Sequence, residues 1–363
     1  MRRSARPPAF RPAFDLMEGR DCPAVTCSLV GGALTVLGDM GANAVTVSTA
    51  AQGSVEVTGD GQVFDFTGVQ SVRVATGDGN DQVVLRVLEG AGAPVGLTAT
   101  VDLGGGDDTA EVTVVSFTAV NLSAAPPAAP IDVTVAGSVG NDRLSANLAG
   151  GGPGTKMLVP AVRLALDGGI GNDAIDAGAS NLLFRRQVDV AVAGGDGADA
   201  LTQDFHANNF FAPLTLAVSG GAGDDRITTR FDATGPRSVY NAAVTVGVTG
   251  GAGADVMDFA LGGWEGTAPP TADQQGPALP VVNVSFAVTL DGGDGNDLIV
   301  AKLAATGKGA LAARVLGGAG DDDLGLDLAG VAVGFPATGV IDGGAGFDTH
   351  HSTPGVTLLN IEA

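Results

Sequence analysis

The chain has 363 residues, of which 58 are glycine and 4% aromatic, with a formal charge of -22. So few large rings exclude a globular aromatic core and leave a thin one of Val, Leu, Ile and Ala, while the acidic balance disfavours nucleic acid and anionic lipid, whose phosphates need a clustered basic surface. Mean hydropathy is +0.28, yet the uncharged residues 112–131 contain Thr113, Ser116, Asn121, Pro126, Pro127 and Pro130, so no membrane span is expected.

Residues 1–28 read as a basic leader or tether outside the fold, carrying Arg2, Arg3, Arg6, Arg11 and Arg20. The uncharged run 22–38 imitates a signal-peptide core, but Pro23, Thr26 and Ser28 interrupt it. Cys22 and Cys27 are the only cysteines, and no second pair completes a zinc site. The alternatives for them are a local disulfide, should the chain be exported, and two unpaired thiols.

Residues 29–363 read as one repeat unit. Within it, 29–75 are taken as degenerate N-terminal coils, 76–348 as the repeat body and 349–363 as a C-terminal cap. Weakened six-residue motifs appear first, as Gly38–Asn43, Thr76–Asp81, Leu103–Asp108 and Gly137–Asp142. Strict Gly-Gly-x-Gly-x-Asp follows, ending at Asp173, Asp199, Asp225, Asp255, Asp297, Asp322 and Asp348. From Asp142 onward the motif returns every 25–42 residues.

After each motif Asp, apolar residues occupy alternate positions, as in Leu144, Ala146 and Leu148, or Met257, Phe259 and Leu261. A second alternating run enters the next motif, as in Val188–Val192, Leu214–Val218 and Val244–Val248. This is strand periodicity with one face buried. Each repeat is thus strand, variable loop, strand and Gly-Asp turn, with the length variation confined to the loop, Gly262–Pro280 being the longest. The pattern predicts an all-β parallel solenoid, β-roll or β-helix-like, with about one motif and two strands per coil. Parallel stacking at about 4.8 Å would bring every Gly-Asp turn against its copy in the next coil.

Stacked aspartates repel, by roughly 3–4 kcal/mol per pair about 5 Å apart at an effective dielectric of about 20. An interleaved dication would remove that repulsion; Ca²⁺ takes roughly six to eight oxygen ligands in flexible geometry, and carboxylates with glycine-turn carbonyls offer oxygen alone. The candidate metal ligands are Asp81, Asp108, Asp142, Asp173, Asp199, Asp225, Asp255, Asp297, Asp322 and Asp348, with the turn glycines Gly168, Gly194, Gly220, Gly250, Gly292, Gly317 and Gly343. Several ions in one column along one edge are expected. The preceding residues Asn172, Asp224, Asn296 and Asp321 either add ligands or tolerate a left-handed turn.

The motif resembles the Gly-Gly-x-Gly-x-Asp-x-U-x repeat of the RTX, or hemolysin-type, calcium-binding proteins, with Ile175, Leu201, Ile227, Met257, Ile299 and Leu324 at the apolar U position. The resemblance implies half a calcium site per motif, anchoring of the roll by U, bacterial export, and folding on meeting calcium outside the cell. The spacing departs from that family, whose motifs run in tandem every nine residues. The run Leu16–Pro23 resembles a segment at the start of large exported bacterial repeat proteins.

Ala136–Gly140 imitates a nucleophile elbow around Ser138, but it lies in phase with a repeat whose second glycine became serine. His206, His350 and His351 are the only histidines, and there is no H-E-x-x-H pair. The expected role is a non-catalytic, secreted or surface module for adhesion or matrix contact, meeting cell-surface polysaccharide or protein; the alternative is a β-helical lyase or hydrolase acting on polysaccharide. Trp264 and Glu265, with Phe210 and Phe211, are the candidate partner contacts.

Overall fold

The computed structural model describes residues 25–362 apart from 50–53, 90–95, 117–129, 150–156, 160, 181, 185, 207–208, 211, 233–241, 263–283 and 306–308. Cys22, Trp264, Glu265, Phe211 and the arginine-rich arm therefore lie outside the described residues, and of Phe210 only its place in a short strand is described. The architecture is a β-solenoid of two facing 13-stranded sheets, joined locally by a third of three strands. Among the described residues no helix is long and apolar enough to cross a membrane.

One coil shows how the sequence builds the rest. Val188–Asp196 runs in the first sheet, the turn carries Asp199, and Ala200–His206 returns in the second sheet. The next coil repeats this with Leu214–Ala222, Asp225 and Arg226–Asp232. Pairing is parallel and in register, so Gly195 lies opposite Gly221 and Leu201 opposite Ile227. All motif turns consequently fall on one edge, and the variable segments depart from the far ends of the second-sheet strands.

The core lies between the sheets and is thin, as the composition requires. Ile175, Leu201, Ile227, Met257, Ile299 and Leu324 are each at most 1% exposed. Leu328 is only half-buried, because the strand that covers its element, Thr349–Ser352, ends short of it. Mid-solenoid, Phe205 stacks on Phe231 with centroids 5.0 Å apart, and Phe259 leans on Phe231 at 6.2 Å. Beside them Thr229 Oγ1 donates to Gln203 Oε1 at 2.6 Å, a polar pair buried in the same face. The third sheet joins Met157–Val159, Leu182–Phe184 and Asn209–Phe210, and gives neighbouring coils a short third wall on which Leu182 is fully buried.

The N-terminal end departs from the parallel pattern. Thr26–Val30 pairs antiparallel with Ala33–Leu37, and Ala44–Thr49, Ser54–Gly59 and Gln62–Thr67 form an antiparallel meander. The described fold therefore begins within the stretch read as leader, and residues 26–67 carry three antiparallel pairings. Two of the tight turns between them are Gly31-Gly32, at φ 59° and 87°, and Asp60-Gly61, at 44° and 80°. Two successive positive φ values match the right-handed twist of a tight hairpin. These antiparallel strands extend both sheets beyond the parallel coils, leaving Thr26–Val30 and Gln62–Thr67 as the edge strands at this end.

Candidate metal centre

Each glycine of the motif has its own steric reason. In Gly168–Asp173 the second and third glycines take φ values of 103° and 144°, and a β-carbon on either would overlap a carbonyl of the preceding coil. The first, Gly168, lacks a positive φ, but a β-carbon there would overlap both Asp173 Oδ2 and the Gly194 carbonyl oxygen. The degenerate copy keeps the geometry under strain: Ser138 stands in the second-glycine row at φ 80°, and its hydroxyl donates to Asp102 Oδ1 at 3.1 Å. A turn position, rather than a nucleophile elbow, explains this conformation.

The motif aspartates form an unbroken file inside the edge. Each Oδ1 accepts the backbone N–H of the preceding coil's motif residue, from Asn43 donating to Asp81 through to Asp322 donating to Asp348, at 2.7–3.0 Å. At the C-terminal end Glu362 Oε2 takes over as acceptor for the Asp348 N–H at 3.3 Å. The sequence reading missed that role for Glu362, whose only signal is its place one coil beyond the last motif.

The other oxygen tells a different story. Oδ2 of every motif Asp from Asp81 to Asp348 is buried without a hydrogen-bond partner, although buried polar groups are as a rule paired. Burial is the first cause that drives these acids up, opposed by the N–H donated to Oδ1 and reinforced by neighbouring carboxylates. Asp225 is pushed up to about 7, and Asp108, Asp173, Asp297 and Asp322 to about 6. Asp81, Asp142, Asp199 and Asp255 are raised in the same direction.

A second ladder runs along the exposed rim in the opposite sense. Oδ1 of Asn141 accepts the Asn172 N–H at 2.9 Å, Asn172 that of Ala198 at 2.8 Å, and Asp321 that of Phe347 at 2.9 Å. Among the described residues only Asp60, Ser138 and Asn360 outside glycine have positive φ. The residues preceding the motif Asp thus serve as coil-to-coil acceptors and do not occupy a left-handed turn.

Among the described residues, no three His, Cys, Asp or Glu side chains gather into one cluster. The carboxylates are instead strung in single file. The donor set offered along it is oxygen alone, with one unpaired carboxylate oxygen per coil and a glycine carbonyl converging on the same glycine face. That chemistry suits a hard cation, and the face that a β-carbon would fill marks where the two oxygens meet. No protein-family model, no curated protein and no solved structure matches the chain.

Proposed function

We propose that the chain is a calcium-stabilised β-solenoid that works outside the cell as a non-catalytic structural or adhesive module of RTX type. The observation that carries this reading is the file of buried, unpartnered Oδ2 atoms. Leaving such a group unsatisfied costs about 1–3 kcal/mol, and more when it is charged. Bound Ca²⁺ would both satisfy the oxygens and offset the repulsion along the file, with Asp142 to Asp348 and the carbonyls of glycines such as Gly194 as its ligands.

With one unpaired carboxylate oxygen per coil, each interval carries little ligand charge, which supports an extracellular setting. Affinity in oxygen sites follows ligand charge, and weak sites, with Kd on the order of 10⁻⁴–10⁻³ M, belong to extracellular modules. The regular, in-register sheet faces would then serve as a surface for polysaccharide or protein. Circular dichroism in chelator and in millimolar Ca²⁺ at neutral pH tests the core of the proposal. Cooperative gain of β-structure with Ca²⁺, poorly reproduced by Mg²⁺, is the expected result; full β-content in excess chelator at pH 7.5 would sink it.

A further inference from the structure

We infer that the residue at the first motif position decides whether an interval of the column admits a cation, and that the N-terminal intervals at Asp81 and Asp108 are closed. This rests on the reading of the file as a cation column. In the strict coils the first position is glycine, and its bare face is where Oδ2 of its own motif and a carbonyl of the next coil converge. The same meeting recurs at Gly343, where the carbonyl of Asn360 in the C-terminal cap stands in for a following glycine. Nothing but hydrogen separates the two oxygens from the glycine Cα.

The first two acidic coils replace that glycine. Thr76 is fully buried, and its Oγ1 donates at 2.8 Å to the carbonyl of Leu103, the oxygen that corresponds to the next-coil glycine carbonyl elsewhere. The Thr76 hydroxyl thus stands between that carbonyl and the Asp81 carboxylate, to which it also gives hydrogen-bond support, where an ion would need both. Leu103 follows Asp102, which pairs with Ala136, and so stacks against Gly137 in the same row; it too is fully buried. A hydrocarbon side chain there occupies the space beside Asp108 and supplies no ligand. One coil earlier the charge itself is absent, since Asn43 Oδ1 accepts the Asp39 N–H at 3.0 Å. The open column accordingly starts at Gly137–Asp142 and runs to the C-terminal cap.

The test counts Ca²⁺ bound per full-length chain, by native mass spectrometry and by equilibrium dialysis, with circular dichroism reporting the fold. Leu103→Gly and Thr76→Gly are each expected to bind one Ca²⁺ more than wild type, and Gly194→Thr one fewer. Folded Leu103→Gly and Thr76→Gly proteins that both keep the wild-type number would overturn the inference while leaving the column reading intact, as would a folded Gly194→Thr protein that loses no ion. If Gly194→Thr does not fold, the two gain-of-site variants decide. A wild-type chain that binds no Ca²⁺ overturns the column reading and this inference together.

Discussion

A carboxylate at the last motif position does two jobs that a substitution can separate. Oδ1 of Asp225 accepts the Asp199 N–H at 2.8 Å and so ties two coils, while Oδ2 is buried with no partner. Asp225→Asn keeps an acceptor for that N–H and removes the charge. The Ca²⁺ midpoint of folding is expected to rise several-fold in this variant, whereas its Tm in chelator at about pH 4–5, where the calcium-free fold is held by protonation, should not fall, because a neutral amide carries no unpaired charge into the interior. Calcium titrations followed by circular dichroism, with melts in chelator, read both quantities; an unchanged midpoint would assign Asp225 to the turn alone.

Between elements, the inter-sheet core and the edge ladders hold the coils in one register. In the core Phe231 ties three successive coils, stacked on Phe205 and leaning on Phe259, and is only 3% exposed. Truncating a buried Phe to Ala typically costs about 3–5 kcal/mol. Phe231→Ala should therefore lower the stability of the calcium-loaded protein by about that amount, measured by denaturant unfolding in saturating Ca²⁺. Because each coil touches mainly its neighbours, the loss should be felt first in the coils around Phe205 and Phe259, as faster hydrogen exchange there than at Leu34 or Ile341.

For the whole molecule, the aspartate file couples the fold to pH. In the native state Asp225 sits near 7 and Asp108, Asp173, Asp297 and Asp322 near 6, against an ordinary value of 3.8. Groups raised on folding bind more protons when native, so their contribution is complete below about pH 4 and is lost as pH rises through 6 to 7. In chelator, the Tm should fall as the pH rises from about 4, until the native β-structure is lost as the pH passes about 6 to 7. In saturating Ca²⁺ the trend should flatten or reverse, because ions and protons compete for the same carboxylates. A chelated protein whose Tm rises across that interval would contradict the buried file.

Much of this was legible in the residues. Alternating apolar positions after each motif Asp, as at Leu144 or Ile299, specified strands with one buried face, since a period of two admits nothing else. Repeats of 25–42 residues with one conserved turn specified a coil, and confined the variation to the edge away from the motif. The N-terminal hairpins were written in Gly31-Gly32 and Asp60-Gly61, local signals outweighed by the motif phase around Gly38–Asn43. What only the tertiary structure decided depends on contacts between residues 25–42 apart in sequence, which set which carboxylate oxygen is tied, which is orphaned and the opposite senses of the inner and outer ladders, and on the 14-residue return that closes the inner ladder with Glu362. The motif specified a turn at every coil, because glycine's freedom is a local property. The environment of each Asp came from the neighbouring coil, whose amide, carbonyl and first-position side chain no single repeat contains.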